Sequence, residues 1–275
     1  MEEGFRPLPY GFQKPITMAI IALNGYAGSG KDLVGRIVQW LTARKKYEMF
    51  TPKSLEEFLK EYENADEVVL FYEQGIGDIC SPFQIKKWAG KLKIIASILT
   101  GIHIKNFEDQ DFKHTRLPSC WSKWKYNGKV TGTDVLPVYG NDPELVNMTV
   151  REFLQKLGTE ALRNGLHENT WVNALMADYH TEERVYQLDD MVKRVYPPSK
   201  WVITDTRFPN EAGAVKGRGG VIVRINRPGV TAVNDHPSDT SLDDWNFDYV
   251  IENDGSMQDL VSQVDEILIK EKLYI

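Results

Sequence analysis

Short apolar runs alternate along this chain with stretches in which apolar residues recur every three or four positions. The run Met18-Ala19-Ile20-Ile21-Ala22-Leu23 has no polar alternation, as expected of a strand covered on both faces. Residues 18–24, 201–205, 220–226 and 248–252 read as strands, and 83–88 as a fifth. Residues 68–72 (Val-Val-Leu-Phe-Tyr) also read as a strand, set in an insertion. Helical periodicity predicts helices at 30–44, 54–63, 90–99, 149–164, 168–180, 209–217 and 257–272. Thr149 followed by Glu152 is a capping-box pattern, and Pro209 suits the first turn of a helix. Strands separated by helices predict an α/β fold: a five-stranded parallel sheet flanked by crossover helices. Residues 1–16 read as an N-terminal extension and 17–275 as a single domain. Two stretches resist assignment. Residues 45–82 mix helix and strand signals, and 113–147 are rich in Gly, Pro, Lys and Trp. A connection this long is usually functional. Its aromatics, Trp121, Trp124, Tyr126 and Tyr139, read as a small satellite core in preference to a base-stacking platform.

Composition narrows the class of partner. At 275 residues, 42% hydrophobic and 26% charged, the chain is an ordinary globular sequence. A formal net charge of -6 argues against general nucleic-acid binding, which needs basic surface, but leaves room for a nucleotide pocket. Cys80 and Cys120 have no metal-type spacing and read as free thiols of a reducing cytoplasm. No apolar run has the length of a membrane span, and the acidic, proline-bearing N-terminus is unlike a signal peptide. The expectation is a cytoplasmic protein with no membrane and no nucleic-acid partner. A homodimer is left open.

The strongest chemical signal lies just after the first strand. Gly25-Tyr26-Ala27-Gly28-Ser29-Gly30-Lys31 fits G-x-x-x-x-G-K and leads into a helix, the arrangement of the phosphate-binding loop of P-loop NTPases. Glycines let the backbone curl until several N–H groups point at one phosphate, and the helix adds its positive end. Lys31 can reach the β- and γ-phosphates as a point charge. The bland alternative is a glycine-rich strand-to-helix turn. Asp32 stands where Ser or Thr is usual, and reads either as a Mg²⁺ ligand or as an acid at a helix start.

A second segment, Trp201-Val-Ile-Thr-Asp205-Thr-Arg207-Phe-Pro209-Asn-Glu211, ends an apolar strand in a carboxylate. In parallel sheets that end faces the ligand crevice. Asp205 can meet a metal or a reacting group there, and Arg207 can meet phosphate oxygens. The alternatives are a capping aspartate and a surface ion pair.

Several segments, taken in order, resemble the bacteriophage deoxynucleoside monophosphate kinases. They are the loop with its Asp32, Lys91-Leu92-Lys93, Phe107-Glu108-Asp109-x-Asp111-Phe112-Lys113, and Arg151-x-x-Leu154-Gln155-x-Leu157-Gly158-Thr159-Glu160-x-x-Arg163. Trp171-Val172-Asn173, Asp205-x-Arg207-Phe208-Pro209-Asn210-Glu211, Gly219-Gly220 and Arg227-Pro228-Gly229 complete the series. The resemblance spans most of 18–272, interrupted at 45–82 and 113–147. It implies a nucleoside-monophosphate-kinase-like fold whose insertions form the acceptor region, with a lid-like segment at about 228–247. It also implies transfer of a phosphoryl group from ATP, with Mg²⁺, to a deoxynucleoside 5′-monophosphate for DNA precursor synthesis, in host cytoplasm if the chain is phage-encoded.

On this reading Lys31, Asp32, Asp205 and Arg207 are catalytic, and Asp32 and Asp205 are the metal ligands. Residues Gly25 to Asp32 hold ATP, with Arg227 over the adenine. Lys93, Arg151, Gln155, Gly158, Thr159, Arg163 and Trp171 bind the acceptor, although Trp171 reads equally well as a core residue. His236 is either a phosphate contact or a structural histidine. Two positions depart from the family pattern: Leu33 replaces a hydroxyl residue, and Glu152 stands where some relatives are basic. Two other readings stay open, a P-loop kinase of another small acceptor and a nucleotide-binding protein without turnover.

Overall fold

Ala19–Asn24 forms β1, buried at all six positions of the computed structural model, because helices cover both of its faces. The structure describes residues 19–46, 48, 51–62, 69–70, 79–80, 83–126, 129–131, 144–187, 193–196, 198–231 and 240–274. The expected extension at 1–16 and His236 lie outside the described residues. Elements then run α1 (Lys31–Lys46), α2 (Leu55–Glu61), β2 (Val69–Leu70), β3 (Ile79–Cys80), β4 (Gln84–Lys86), α3 (Gly90–Thr100) and α4 (Gln110–His114). Next come β5 (Lys123–Tyr126), β6 (Lys129–Thr131), β7 (Glu144–Val146), α5 (Val150–Gln155), a π-helix (Lys156–Asn164) and α6 (Thr170–Met176). The chain continues through β8 (Arg184–Gln187), β9 (Lys193–Tyr196), β10 (Lys200–Ile203), α7 (Pro209–Lys216), β11 (Val221–Asn226), β12 (Tyr249–Glu252) and α8 (Met257–Lys270).

Two compact units result, one from the chain up to Lys87 and from Tyr179 onward, the other Trp88–Asp178. The first holds a five-stranded, all-parallel sheet in the order β12-β11-β1-β10-β4. These are the five strands expected from the apolar runs. Side chains alternate between faces, so Ile21 and Leu23 meet Val34 and Val38 of α1 and Val264, Ile267 and Leu268 of α8. Ile20, on the other face, lies by Gly220 and Val215, where α7 packs. A Cβ on Gly220 would stand 2.6 Å from Val215 and 2.8 Å from the Ile20 carbonyl, so the close approach of α7 requires glycine. Phe58 anchors α2 in the same core, fully buried. Removing such a ring typically costs about 3–5 kcal/mol. The strand expected at 68–72 is β2, which pairs antiparallel with β3 outside the main sheet.

In the second unit, Ala96, Phe107, Leu117, Val150 and Phe153 form a small core, with Trp121 edge-on to Phe153 at 5.0 Å. A three-stranded antiparallel sheet, β6-β5-β7, stands in the same unit. The capping box at Thr149 is made: Glu152 N–H donates to the Thr149 hydroxyl at 3.2 Å, and the Glu152 carboxylate accepts from Thr149 N–H at 2.7 Å. Glu152 therefore serves the helix start. The continuous helix expected at 149–164 instead changes to π geometry after Gln155. Periodicity does not distinguish the two, and side-chain contacts explain the change. A Cβ on Gly158 would come within 2.9 Å of Leu92, so the backbone lies flush against α3. The Gly158 carbonyl accepts from the Trp171 indole N–H at 3.0 Å, and the Leu162 carbonyl from the Thr170 hydroxyl at 3.0 Å. Side-chain donors entering the ladder loosen helical winding. Among the described residues no helix is long and apolar enough to cross a membrane.

Candidate active site

The glycine loop links the end of β1 to α1, at the carboxyl edge of the sheet. Gly25, Gly28 and Gly30 take φ of 150°, 83° and 102°, which side chains disfavour. Space is also short for a side chain at two of them, against backbone at Gly25 and against a side chain at Gly30. A Cβ at Gly25 would lie 2.5 Å from the Ile225 carbonyl, and one at Gly30 2.6 Å from the Asn253 amide. The loop is pinned from inside by Ser29 N–H, donating to the Tyr26 carbonyl at 3.1 Å. From outside, the Asn253 side chain donates to the Ser29 carbonyl at 2.9 Å and Arg227 to the Gly28 carbonyl at 3.1 Å.

Lys31 folds over this loop. Its ammonium donates to the carbonyls of Gly25 and Tyr26, each at 2.6 Å. Burial lowers its pKa to about 8, assisted by Arg207 and Arg224 and opposed by Asp32 and Asp205. Those four groups are therefore in electrostatic reach of the ammonium, three of them carried by or just after the neighbouring strands. Asp205 and Arg207 follow β10, the strand beside β1, and Arg224 lies in β11 on its other side. The Glu211 carboxylate is buried and accepts from the backbone N–H groups of Arg207 (2.8 Å) and Phe208 (3.2 Å), which fixes the turn bearing Arg207.

Asp32, the first acid of α1, accepts a hydrogen bond from the Thr204 hydroxyl at 2.9 Å and lies 3.8 Å from Lys87. Beside it opens a cavity of about 580 Å³ lined by Asp32, Leu33, Arg36, Leu59 and Lys60. Arg224 holds the other side of the loop. It donates to Asn24 at 2.5 Å, pairs with Asp243 at 3.2 Å, and stacks on the Tyr26 ring at 4.6 Å. The Tyr26 hydroxyl in turn donates to Asp243 at 3.0 Å.

The structure thus gathers Gly25, Tyr26, Gly28, Ser29, Gly30, Lys31, Asp32, Asp205, Arg207 and Arg227 in the first unit. Lys93, Arg151, Gln155, Gly158, Thr159, Arg163 and Trp171 all belong to the second. There Lys93 pairs with Glu108, and Arg151 donates to Gln110 at 3.4 Å. Gln155 and Thr159 are exposed, Arg163 is half-buried, and Trp171 is buried against Gly158. Sequence reasoning missed Asn24, Thr204, Arg224, Glu211 and Asn253. A charge inside the apolar run of β11 was one available signal. Another was the position of Asn253 at the carboxyl end of β12.

A model of the deoxynucleotide monophosphate kinase family matches residues 93–264, more than half of the chain. A protein of Acanthamoeba polyphaga mimivirus, provisionally named deoxynucleotide monophosphate kinase, is 32% identical over 131 residues. The match covers 45% of this chain and 63% of that protein. The deoxynucleotide monophosphate kinases of Enterobacteria phage T4 and Escherichia phage RB69 are 28% and 27% identical over 120 residues. Those matches cover 44% of this chain and 45% of each relative, so the chain spans less than two thirds of the curated relatives it matches.

Proposed function

The chain belongs to the deoxynucleotide monophosphate kinase family, and we propose that it transfers the γ-phosphoryl group of ATP to a deoxynucleoside 5′-monophosphate. The observation that carries this reading is the glycine loop with Lys31, set between β10, followed by Asp205 and Arg207, and β11, which bears Arg224. Phosphoryl transfer needs positioning and charge neutralisation more than covalent help. Loop N–H groups and Lys31 would hold the ATP phosphates, while Arg207 offsets charge on the transferring group. The acceptor is already an anion, so its approach needs cations more than a base. Arg227 would lie beside the adenine.

The residues present also fit Mg²⁺. That ion takes one or two carboxylates and completes its shell with water and phosphate oxygens. The Asp32 carboxylate is exposed, Asp205 stands on the neighbouring strand end, and no larger cluster of metal-binding side chains occurs among the described residues. Bound there, the ion would offset charge on the phosphate oxygens. We assign the acceptor to the second unit, with Lys93, Arg151, Gln155, Gly158, Thr159, Arg163 and Trp171 as its contacts and the chain working as one kinase domain. The buried Trp171 would set the Gly158 turn behind the nucleotide.

The decisive experiment measures ADP release with ATP and each common dNMP in turn. We expect turnover with at least one of them. Release that ignores every dNMP but follows another small acceptor would overturn the substrate. Release that needs no acceptor would leave a hydrolase, and no release under any condition would leave a nucleotide-binding protein.

Two further results are expected. Arg151→Ala should raise the dNMP KM or lower turnover by about tenfold, the scale of one charged hydrogen bond, with ATP KM hardly changed. Gln155→Glu should reorder the preference among dGMP, dTMP and dCMP, because an amide and a carboxylate satisfy different base edges. Steady-state panels on both variants check this, and unchanged kinetics with every dNMP would place the acceptor elsewhere. The second result concerns pH. Lys31 is lowered to about 8, so above that pH it is increasingly neutral in the free protein. Phosphate contact favours the charged form and raises the pKa again. ATP binding should therefore take up a proton above about pH 8 and weaken as pH rises further. Calorimetry at pH 9 in buffers of different ionisation enthalpy reads that uptake directly.

A further inference from the structure

The loop of this chain has Asp32 where a hydroxyl residue usually follows the lysine, and Leu33 follows it. A hydroxyl nevertheless stands at this point, supplied by the neighbouring strand. Thr204 comes one residue after β10 and is 2% exposed. Its hydroxyl donates to the Asp32 carboxylate at 2.9 Å, while its backbone N–H donates to the Lys86 carbonyl at 3.2 Å. The backbone is thus tied to β4 and the side chain to α1.

The approach that makes this contact possible is built in. Gly35 lies within α1, where glycine weakens a helix. A Cβ on Gly35 would stand 2.8 Å from the Thr204 methyl, closer than side chains tolerate. The helix therefore carries a glycine where Thr204 packs against it, and that packing brings the hydroxyl to the one acid of the first turn of α1. The bond uses one carboxylate oxygen of Asp32 from the buried side. The Lys87 ammonium lies beside that same oxygen, at 3.8 Å. Asp32 itself remains exposed.

We infer that Thr204 is a positioning residue: its buried hydroxyl holds the Asp32 carboxylate in the orientation in which that carboxylate receives the Mg²⁺ accompanying the nucleotide. The inference rests on the reading of the loop as a nucleotide site, and not on the identity of the acceptor. The bond restrains one carboxylate oxygen while the Asp32 side chain as a whole stays exposed. A restrained ligand loses less freedom when the ion arrives than a free one. Outer-shell hydrogen bonds of this kind orient metal ligands, and losing one typically lowers metal affinity or activity by about 10–100-fold.

The test measures ADP affinity by calorimetry with Mg²⁺ and with EDTA, in the wild type, Thr204→Val and Thr204→Ser. Valine keeps the shape and the methyl contact with Gly35 but has no hydroxyl, whereas serine keeps the hydroxyl. The increase in affinity that Mg²⁺ brings should shrink by about tenfold in Thr204→Val and by less than about threefold in Thr204→Ser. Affinity in EDTA should be the same in all three. On an Asp32→Ala background, Thr204→Val should cause no further loss. If Thr204→Val lowers thermal stability but keeps the wild-type response to Mg²⁺, Thr204 is only a packing residue. A serine variant as impaired as the valine variant also overturns the inference, since the methyl would then be what matters. These measurements use no acceptor, so they stand apart from the dNMP panel. Absence of ADP binding by the wild type would overturn both the inference and the nucleotide reading.

Discussion

Lys31→Ala should lower phosphoryl transfer by about 10²–10³-fold, the range for losing one preorganised group that stabilises transition-state charge. Among the described residues Lys31 is the cation nearest the loop, its ammonium 2.6 Å from the carbonyls of Gly25 and Tyr26, and it belongs to neither of the two apolar cores described. The fold should persist, because Ser29, Arg227 and Asn253 still tie the loop. Turnover with the best dNMP, read beside thermal melting of the same preparation, checks both halves. Near-normal turnover in a folded variant would sink the assignment of this loop to ATP.

Asp205→Asn should act on turnover by a similar factor, about 10²-fold or more, while ATP KM changes by less than about threefold. Asp205 stands just after the strand beside the loop, where on the proposed reading its contacts would form mainly as the phosphoryl group moves. Asp205 also helps keep Lys31 protonated. Removing its charge lowers the Lys31 pKa below about 8, so the alkaline limb of the pH profile should move to lower pH. A capping aspartate would predict a weaker fold with turnover at neutral pH unchanged.

The sheet was legible because its central strands are buried on both faces, and continuous apolar runs such as 18–24 and 220–226 are the imprint of that burial. The glycine loop was legible because its backbone needs glycine at fixed intervals. Contacts across the sheet were not. Thr204 reaches an acid that precedes it by most of the chain, and nothing near Thr204 in the sequence marks that partner. Arg224 sits inside an apolar strand, where its guanidinium is accommodated by Asn24, Asp243 and Tyr26. The change from α to π winding at Lys156 depends on Leu92 and Trp171 from other helices, so local periodicity carries no trace of it. Trp171 shows the same ambiguity from the other side, since a core tryptophan and a base wall have one spacing.

The position of β1 at the middle of the sheet has a consequence for synthesis. Its two partners are Lys200–Ile203 and Val221–Asn226, both in the last third of the chain. Parallel pairing between such distant segments is slow to form. At about 5–20 residues per second, a ribosome needs roughly 10–40 s between releasing the first strand and its neighbour. Until then the apolar face of Ala19–Leu23 has no sheet to join, and the glycine loop lacks Arg227 and Asn253. On the proposed reading the nucleotide site would form only after Asn253 has been made, so chains terminated before that residue would be aggregation-prone and unable to compete for ATP.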